Sequence, residues 1–408
     1  MLASAVLSPA SGTAKQLGKA PSPALGHLQG GVPPGPAPPS ARRFYGRGHA
    51  ALAHQGSGCA KAVVACVRFG ATALAFSALI GIFAIARRDG AVDEDARADV
   101  RQNAARAVAR DSGEGAPPDM PWLIYGTAWK EGRTYELVSR ALRHGFQGVD
   151  VANQRKHYRE DLVGQAVQAS GRRVFLQSKY TPAAGHSRGT EPYRPSDRPE
   201  QRVAASFWST MAHLGLARAP RPSAWNGTPL DAYLLHGLTE WSTPLSGEDW
   251  RVYAALEDLR NAGYVRRIGV SNVSPEHVRE LCARARVKPH IVQNRCYAST
   301  RFDELTRQEL ASPACLHADG TVPVYQAFSL LTANGHVLRD AAVQAVARRR
   351  GESPAATLFA FARQLGIVSL TGSKDALHWT EDLDAVALVA GNLTDTDVQA
   401  IFVAGMRQ

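Results

Sequence analysis

The chain has 408 residues, 45% of them hydrophobic, so it is long enough to bury a sizeable core and short for three domains. Its formal net charge is +11, yet residues 1–88 hold nine basic residues and no Asp or Glu, and the remaining 38 basic residues nearly balance all 36 acids. The body therefore has no basic excess of the kind a nucleic-acid-binding domain carries, and no nucleic-acid partner is expected. The five cysteines, Cys59, Cys66, Cys282, Cys296 and Cys315, are odd in number and none has C-x-x-C spacing. Neither a disulfide framework nor a zinc site follows, so reduced thiols and no metal are expected.

Residues 1–60 are rich in Ala, Pro, Gly and Ser, and the stretch GGVPPGPAPPS at 30–40 combines lost donors with high backbone entropy. A disordered, low-complexity segment is expected there, and its basic, acid-free composition resembles an organellar transit peptide of a plastid or mitochondrion. Residues 69–86 read FGATALAFSALIGIFAIA, with Arg68 before and Arg87 and Arg88 after. A helix of roughly 18–25 residues spans roughly 27–37 Å, enough to cross a hydrocarbon core. A single transmembrane helix within 62–88 is expected, with its orientation left open by basic residues on both sides. The rival reading of this run is the apolar core of a signal sequence. Residues 89–119 are charged and Ala-rich, broken at 113–118, and read as a linker that holds the remainder off a membrane.

From residue 120 to 408 short apolar runs alternate with longer amphipathic ones. Strands are predicted at 123–126, 148–151, 174–178, 231–235, 267–270, 291–293, 322–327 and 368–370. Helices are predicted at 134–144, 250–262, 275–286 and 353–364, among others. Eight strand–helix units in this length predict an α/β fold, a (β/α)8 TIM barrel preceded by the membrane-anchoring extension. An open doubly wound sheet is the alternative, but no G-x-G-x-x-G follows the first strand.

In such a barrel chemistry sits at the C-terminal strand ends. Asp150 ends the second strand, Tyr158 follows in the next loop, Lys179 ends the third strand and His236 the fourth. Further on lie IGVSN at 268–272, VQN at 292–294, AFSLL at 327–331 and GSK…H…EDL from 372 to 383. In this order, over residues 121–400, these residues resemble the aldo-keto reductases.

The resemblance implies a catalytic set of Asp150, Tyr158, Lys179 and His236 that reduces a small carbonyl compound to an alcohol by hydride transfer. Tyr158 would give the proton, Lys179 would lower its pKa, Asp150 would hold Lys179, and His236 would orient the substrate oxygen. The interval from Asp150 to Tyr158 is longer than is usual in the family, with Gln154, Arg155, Lys156 and His157 filling it. For the cofactor, the resemblance implies Ser271, Asn272 and Gln293 at the nicotinamide amide and Phe328 on its face. Ser329 and Leu331 would line the pyrophosphate channel, and Ser373, Lys374, His378 and Asp382 belong to the adenosine end. Gly372 and His378 stand where many members have Lys and Arg. A single cation, Lys374, is then expected at the 2′-phosphate, so NADPH is the expected cofactor with NADH possible. A monomeric barrel is expected. A nicotinamide-binding sensor subunit on the same barrel, with little turnover, is the alternative function.

Overall fold

The computed structural model describes residues 120–217 and 227–407. The low-complexity segment, the apolar run at 69–86 and the charged linker expected from the sequence lie outside the described residues. Among the described residues no helix is long and apolar enough to cross a membrane.

Eight parallel strands close into a barrel in chain order, β1 (Leu123–Gly126), β2 (Gly148–Asp150), β3 (Phe175–Tyr180), β4 (Leu230–Leu235), β5 (Val265–Ser271), β6 (Ile291–Arg295), β7 (Val324–Phe328) and β8 (Val368–Thr371). Closure is direct, since Tyr125 of β1 pairs with Val149 of β2 on one side and Thr371 of β8 on the other. The helices are α1 (Thr134–His144), α2 (Glu160–Ser170), α3 (Pro199–His213), α4 (Gly247–Asn261), α5 (Pro275–Arg284), α6 (Glu304–Leu310), α7 (Gly335–Arg339), α8 (Ala341–Arg350), α9 (Pro354–Gln364), α10 (Ala376–Val386) and α11 (Asp395–Met406).

Local sequence explains many boundaries. Ser246, Ser353 and Asp375 each accept a backbone N–H at a helix start, and Ser274 and Thr394 do so within reciprocal capping boxes. Pro275 and Pro354 open α5 and α9, where a missing N–H costs nothing. Strand alternation divides the core in two. Ile124, Phe175, Leu234, Ile291, Val324 and Val368 fill the barrel with Met120 beside them, while Leu123, Tyr125, Tyr233 and Val270 pack outward against the helices.

One expectation from the cysteines is corrected. Cys282 on α5 and Cys315 in the loop after α6 form a disulfide, with Cα atoms 4.7 Å apart across 33 residues of sequence. The pairing arises because α5 and α6 are neighbours around the barrel, which spacing along the chain does not reveal. Cys296 is free and buried.

Candidate active site

The ends of β2, β3 and β4 bring three of the expected residues together. Lys179 Nζ lies 2.6 Å from both carboxylate oxygens of Asp150 and donates to the Val151 carbonyl at 3.1 Å. The pair is almost wholly buried, so each charge depends on the other. Asp150 Oδ1 also accepts from the side-chain amides of Gln177 (2.7 Å) and Gln293 (3.2 Å), and both amides reach Gln326 Oε1. A polar layer from four strands thus holds the carboxylate still beneath the mouth.

Tyr158 completes the group despite its longer loop. Lys179 Nζ stands 5.8 Å from its ring centroid, and the His236 ring meets it edge-on at 5.9 Å. The loop is tied down locally: the Tyr158 and His157 amides both donate to the Gln154 carbonyl, and Gln154 Nε2 donates to the Gly185 carbonyl at 2.7 Å. The inserted His157 lies against exposed Trp129, ring centroids 3.6 Å apart and planes tilted by 37°.

The electrostatics correct one expected role. Burial, and then the charge of Asp150, raise the Tyr158 phenol above its ordinary pKa. The net shift is thus upward where a lowered pKa was expected, and the Lys179 ammonium that faces the ring is paired with Asp150 at contact distance. Tyr158 is therefore held as a neutral phenol, the protonation state a proton donor needs. Burial lowers Lys179, opposed chiefly by Asp150. His236 is pushed down to about 3, first by burial and then by Lys179, His186 and His157, so it is a neutral imidazole. Its Nδ1 lies 2.8 Å from Thr181 Oγ1. With that hydroxyl donating, Nε2 carries the hydrogen and can donate to a substrate oxygen.

The residues expected at the cofactor fall into three groups. At the mouth, Ser271 is buried at the end of β5, and Asn272 follows with a positive φ of 57°, its amide donating to the His236 carbonyl at 2.8 Å. Gln293 pairs in register with Ser271, but its amide turns inward to Asp150 and Gln326. Phe328 ends β7 half-buried, with the Arg295 guanidinium 5.2 Å over its ring; Ser329 follows at φ 57°, and Leu331 packs against the outer core. At the far end, Ser373, Lys374 and His378 line an open cavity of about 610 Å³ with Arg140 and Gly372. Asp382 is not among its lining residues. It is buried behind β8, where Thr371 Oγ1 donates to it at 3.1 Å, and burial pushes its carboxyl up to about 7.

Besides Lys374, the one cation expected at the 2′-phosphate, further cations stand at or near this cavity. Arg140 of α1 lines it, and buried Lys130 stands at its edge with Nζ 2.9 Å from the Gly372 carbonyl. Burial, then repulsion from Lys374, pushes Lys130 down to about 8. Lys374, Lys130 and Arg140 are gathered here with the Asp375 carboxylate on the same lining and Arg140 paired to Glu136, a set with donors enough for a phosphate at the end of a nicotinamide dinucleotide. Sequence reasoning missed Lys130, Arg140, Thr181 and Gln177. The apolar strand ends signalled Thr181, which directly follows β3, but nothing in the chain order linked Lys130 or Arg140 to residues 372–378.

The fold and the strand-end chemistry define a nicotinamide-type oxidoreductase barrel. Residues 123–402 match the model of the Aldo/keto reductase family, and the chain belongs to that family. An aldo-keto reductase of Mycobacterium marinum is 28% identical over 269 residues, covering 65% of this chain and 82% of that protein. The glyoxal reductase of Bacillus subtilis is 26% identical over 261 residues, covering 62% and 79%. Among solved structures, an aldo/keto reductase from Brucella melitensis superposes with a TM-score of 0.53 at 24% identity, covering 70% of this chain and 95% of that one. The silkworm Bombyx mori aldo-keto reductase, solved as its NADPH complex, gives 0.53 at 20% identity, covering 71% and 86%. These structural likenesses carry the barrel fold.

Proposed function

We propose that this oxidoreductase reduces a small aldehyde or ketone to an alcohol with NADPH, using Tyr158 as proton donor. The single observation that carries the reading is the buried Asp150–Lys179 pair with Tyr158 and His236 gathered at one strand-end mouth. When bound, the reduced nicotinamide supplies the hydride that adds to the carbonyl carbon. The carbonyl oxygen then gains negative charge, and the Tyr158 phenol gives it a proton. The phenolate left behind is met by the Lys179 ammonium, whose charge Asp150 secures. The neutral His236 Nε2–H, set by Thr181, orients the oxygen toward Tyr158. Ser271 and Asn272 would hold the nicotinamide amide, Phe328 its face, and Lys374, Lys130 and Arg140 the phosphates. The resemblance to a glyoxal reductase makes small aldehydes the first substrates to assay.

Tyr158→Phe in the full-length chain is expected to lower kcat with a small aldehyde at least about a hundredfold, while NADPH binding stays intact. Near wild-type turnover in that variant would overturn the assignment. Tight NADPH binding without turnover of any carbonyl in the wild type would instead favour a sensor subunit. The apolar run at 69–86 is further proposed to anchor the enzyme to a membrane, and the basic segment before it to direct it to an organelle.

A further inference from the structure

Glu160 carries a carboxylate that the reduction as written leaves unused. It stands two residues after Tyr158, in the first turn of α2, and is 4% exposed. A carboxyl group taken so far from water needs hydrogen-bond partners for its oxygens. Its Oε1 accepts from Ser178 Oγ at 2.6 Å and Thr210 Oγ1 at 2.9 Å, and its Oε2 lies 3.1 Å from His213 Nδ1. Ser178 lies on β3 between Gln177, which holds Asp150, and Lys179, which pairs with Asp150. Strand alternation turns Gln177 and Lys179 into the barrel and Ser178 outward. The carboxylate thus grips the outer face of the strand whose inner face carries Lys179.

The same loop is fixed at its other end. Asn153 Nδ2 donates to the Ser206 carbonyl at 2.9 Å and to Thr210 Oγ1 at 3.2 Å. The inserted Arg155, Lys156 and His157 therefore lie between two attachments to α3, both meeting at Thr210. The helices approach so closely here that a Cβ on Gly164 would stand 2.2 Å from the His213 carbonyl oxygen.

We infer that Glu160 is a positioning residue for proton transfer: its buried charge and its bonds to Ser178, Thr210 and His213 hold Tyr158 and Lys179 in register across the boundary between α2 and β3. The inference rests on the reading of Tyr158 as the acid and Lys179 as its charged neighbour. Charge contributes beside geometry. Lys179 is faced by Asp150 from β2, Tyr158 from the loop and His236 from β4, with Glu160 behind it at the start of α2. Burial lowers the Lys179 pKa, and Glu160 joins Asp150 in opposing that. Glu160→Gln keeps the shape and an oxygen for both hydroxyls but removes the charge. The Lys179 ammonium is then lost at lower pH, and the alkaline limb of the kcat profile moves down with it.

The test measures kcat against pH, and KM for NADPH, in the full-length chain with a small aldehyde. Glu160→Gln is expected to lower kcat about tenfold, inside the roughly hundredfold that a small misplacement can cost. Its alkaline limb moves to lower pH, with KM for NADPH within about twofold of wild type. Ser178→Ala removes one bond and no charge; it is expected to lower kcat about threefold with the limb unmoved. A Glu160→Gln profile that superimposes on wild type overturns the inference. So does a loss of kcat that only follows a lower melting temperature while the limb stays in place. If Glu160→Gln does not fold, Ser178→Ala decides, and an unchanged kcat in it overturns the inference. Activity surviving in Tyr158→Phe would instead sink the reading beneath it.

Discussion

Lys130 is a buried ammonium whose proton is weakly held, at about 8, because burial and Lys374 both disfavour its charge. A phosphate bound between these cations would favour the ammonium and raise that pKa. Binding of the phosphate is therefore strongest below about pH 8 and weakens as pH rises through it. NADPH affinity is expected to fall about tenfold relative to NADH between pH 7 and pH 9, the weight of one pKa unit. Lys130→Met should lower the NADPH preference at pH 7 and flatten its pH dependence. Fluorescence titration with both nucleotides measures this, and a wild-type ratio that does not change with pH would remove Lys130 from the phosphate site. The grouping of Asp150, Lys179 and His236 at one mouth was legible in the sequence because each stands at the end of an apolar run that is itself a strand. Lys130 was not, since its contact with Gly372 spans 242 residues and exists only through the pairing of β1 with β8. The direction of the Tyr158 shift was not legible either, because burial, its largest cause, exists only in the fold. The expected hold of Asp150 on Lys179 is made by both carboxylate oxygens.

At the scale of elements, all eight strands stand where the apolar runs placed them, with ends that differ by a few residues. β3 and β5 run further than the runs suggested, to Tyr180 and Ser271, because ladder pairing with their neighbours continues past the apolar residues. What periodicity could not give is which helices touch. The Cys282–Cys315 disulfide ties α5 to the loop after α6, and beside it Lys288 Nζ donates to the Leu316 carbonyl at 2.8 Å. Closing 33 residues in the unfolded chain is worth about 3 to 4 kcal/mol by loop entropy. The double variant Cys282→Ser, Cys315→Ser is expected to lose about that much stability in denaturant unfolding. Its kcat should stay within about twofold of wild type, because the bond lies away from the mouth formed by β2, β3 and β4. Equal unfolding midpoints for wild type under oxidising and reducing conditions would show that the bridge contributes nothing to stability.

At the scale of the whole molecule, charge and apolarity are unevenly shared along the chain. Residues 1–88 hold nine basic residues and no acids, while the remainder is near balance, so the excess of +11 belongs almost wholly to a part that does no chemistry in the proposed reaction. The proposed catalytic group and the cavity at residues 372–378 are composed of residues between Lys130 and His378. We propose that the run of 18 uncharged, mostly apolar residues bounded by Arg68 and Arg87 anchors the chain in a membrane. In that reading its apolar side chains would gain by leaving water, a helix would satisfy its backbone in lipid, and the flanking arginines would reach the headgroups. A full-length fluorescent fusion is expected to stay with the membrane pellet after alkaline carbonate washing, and deletion of residues 1–110 to release active enzyme into the supernatant. Complete release of the full-length protein by the wash would overturn the anchor and leave residues 69–86 as a cleaved or peripheral segment. A pellet-bound fusion that has lost its first 60 residues would keep the anchor and mark the basic segment as a removable address.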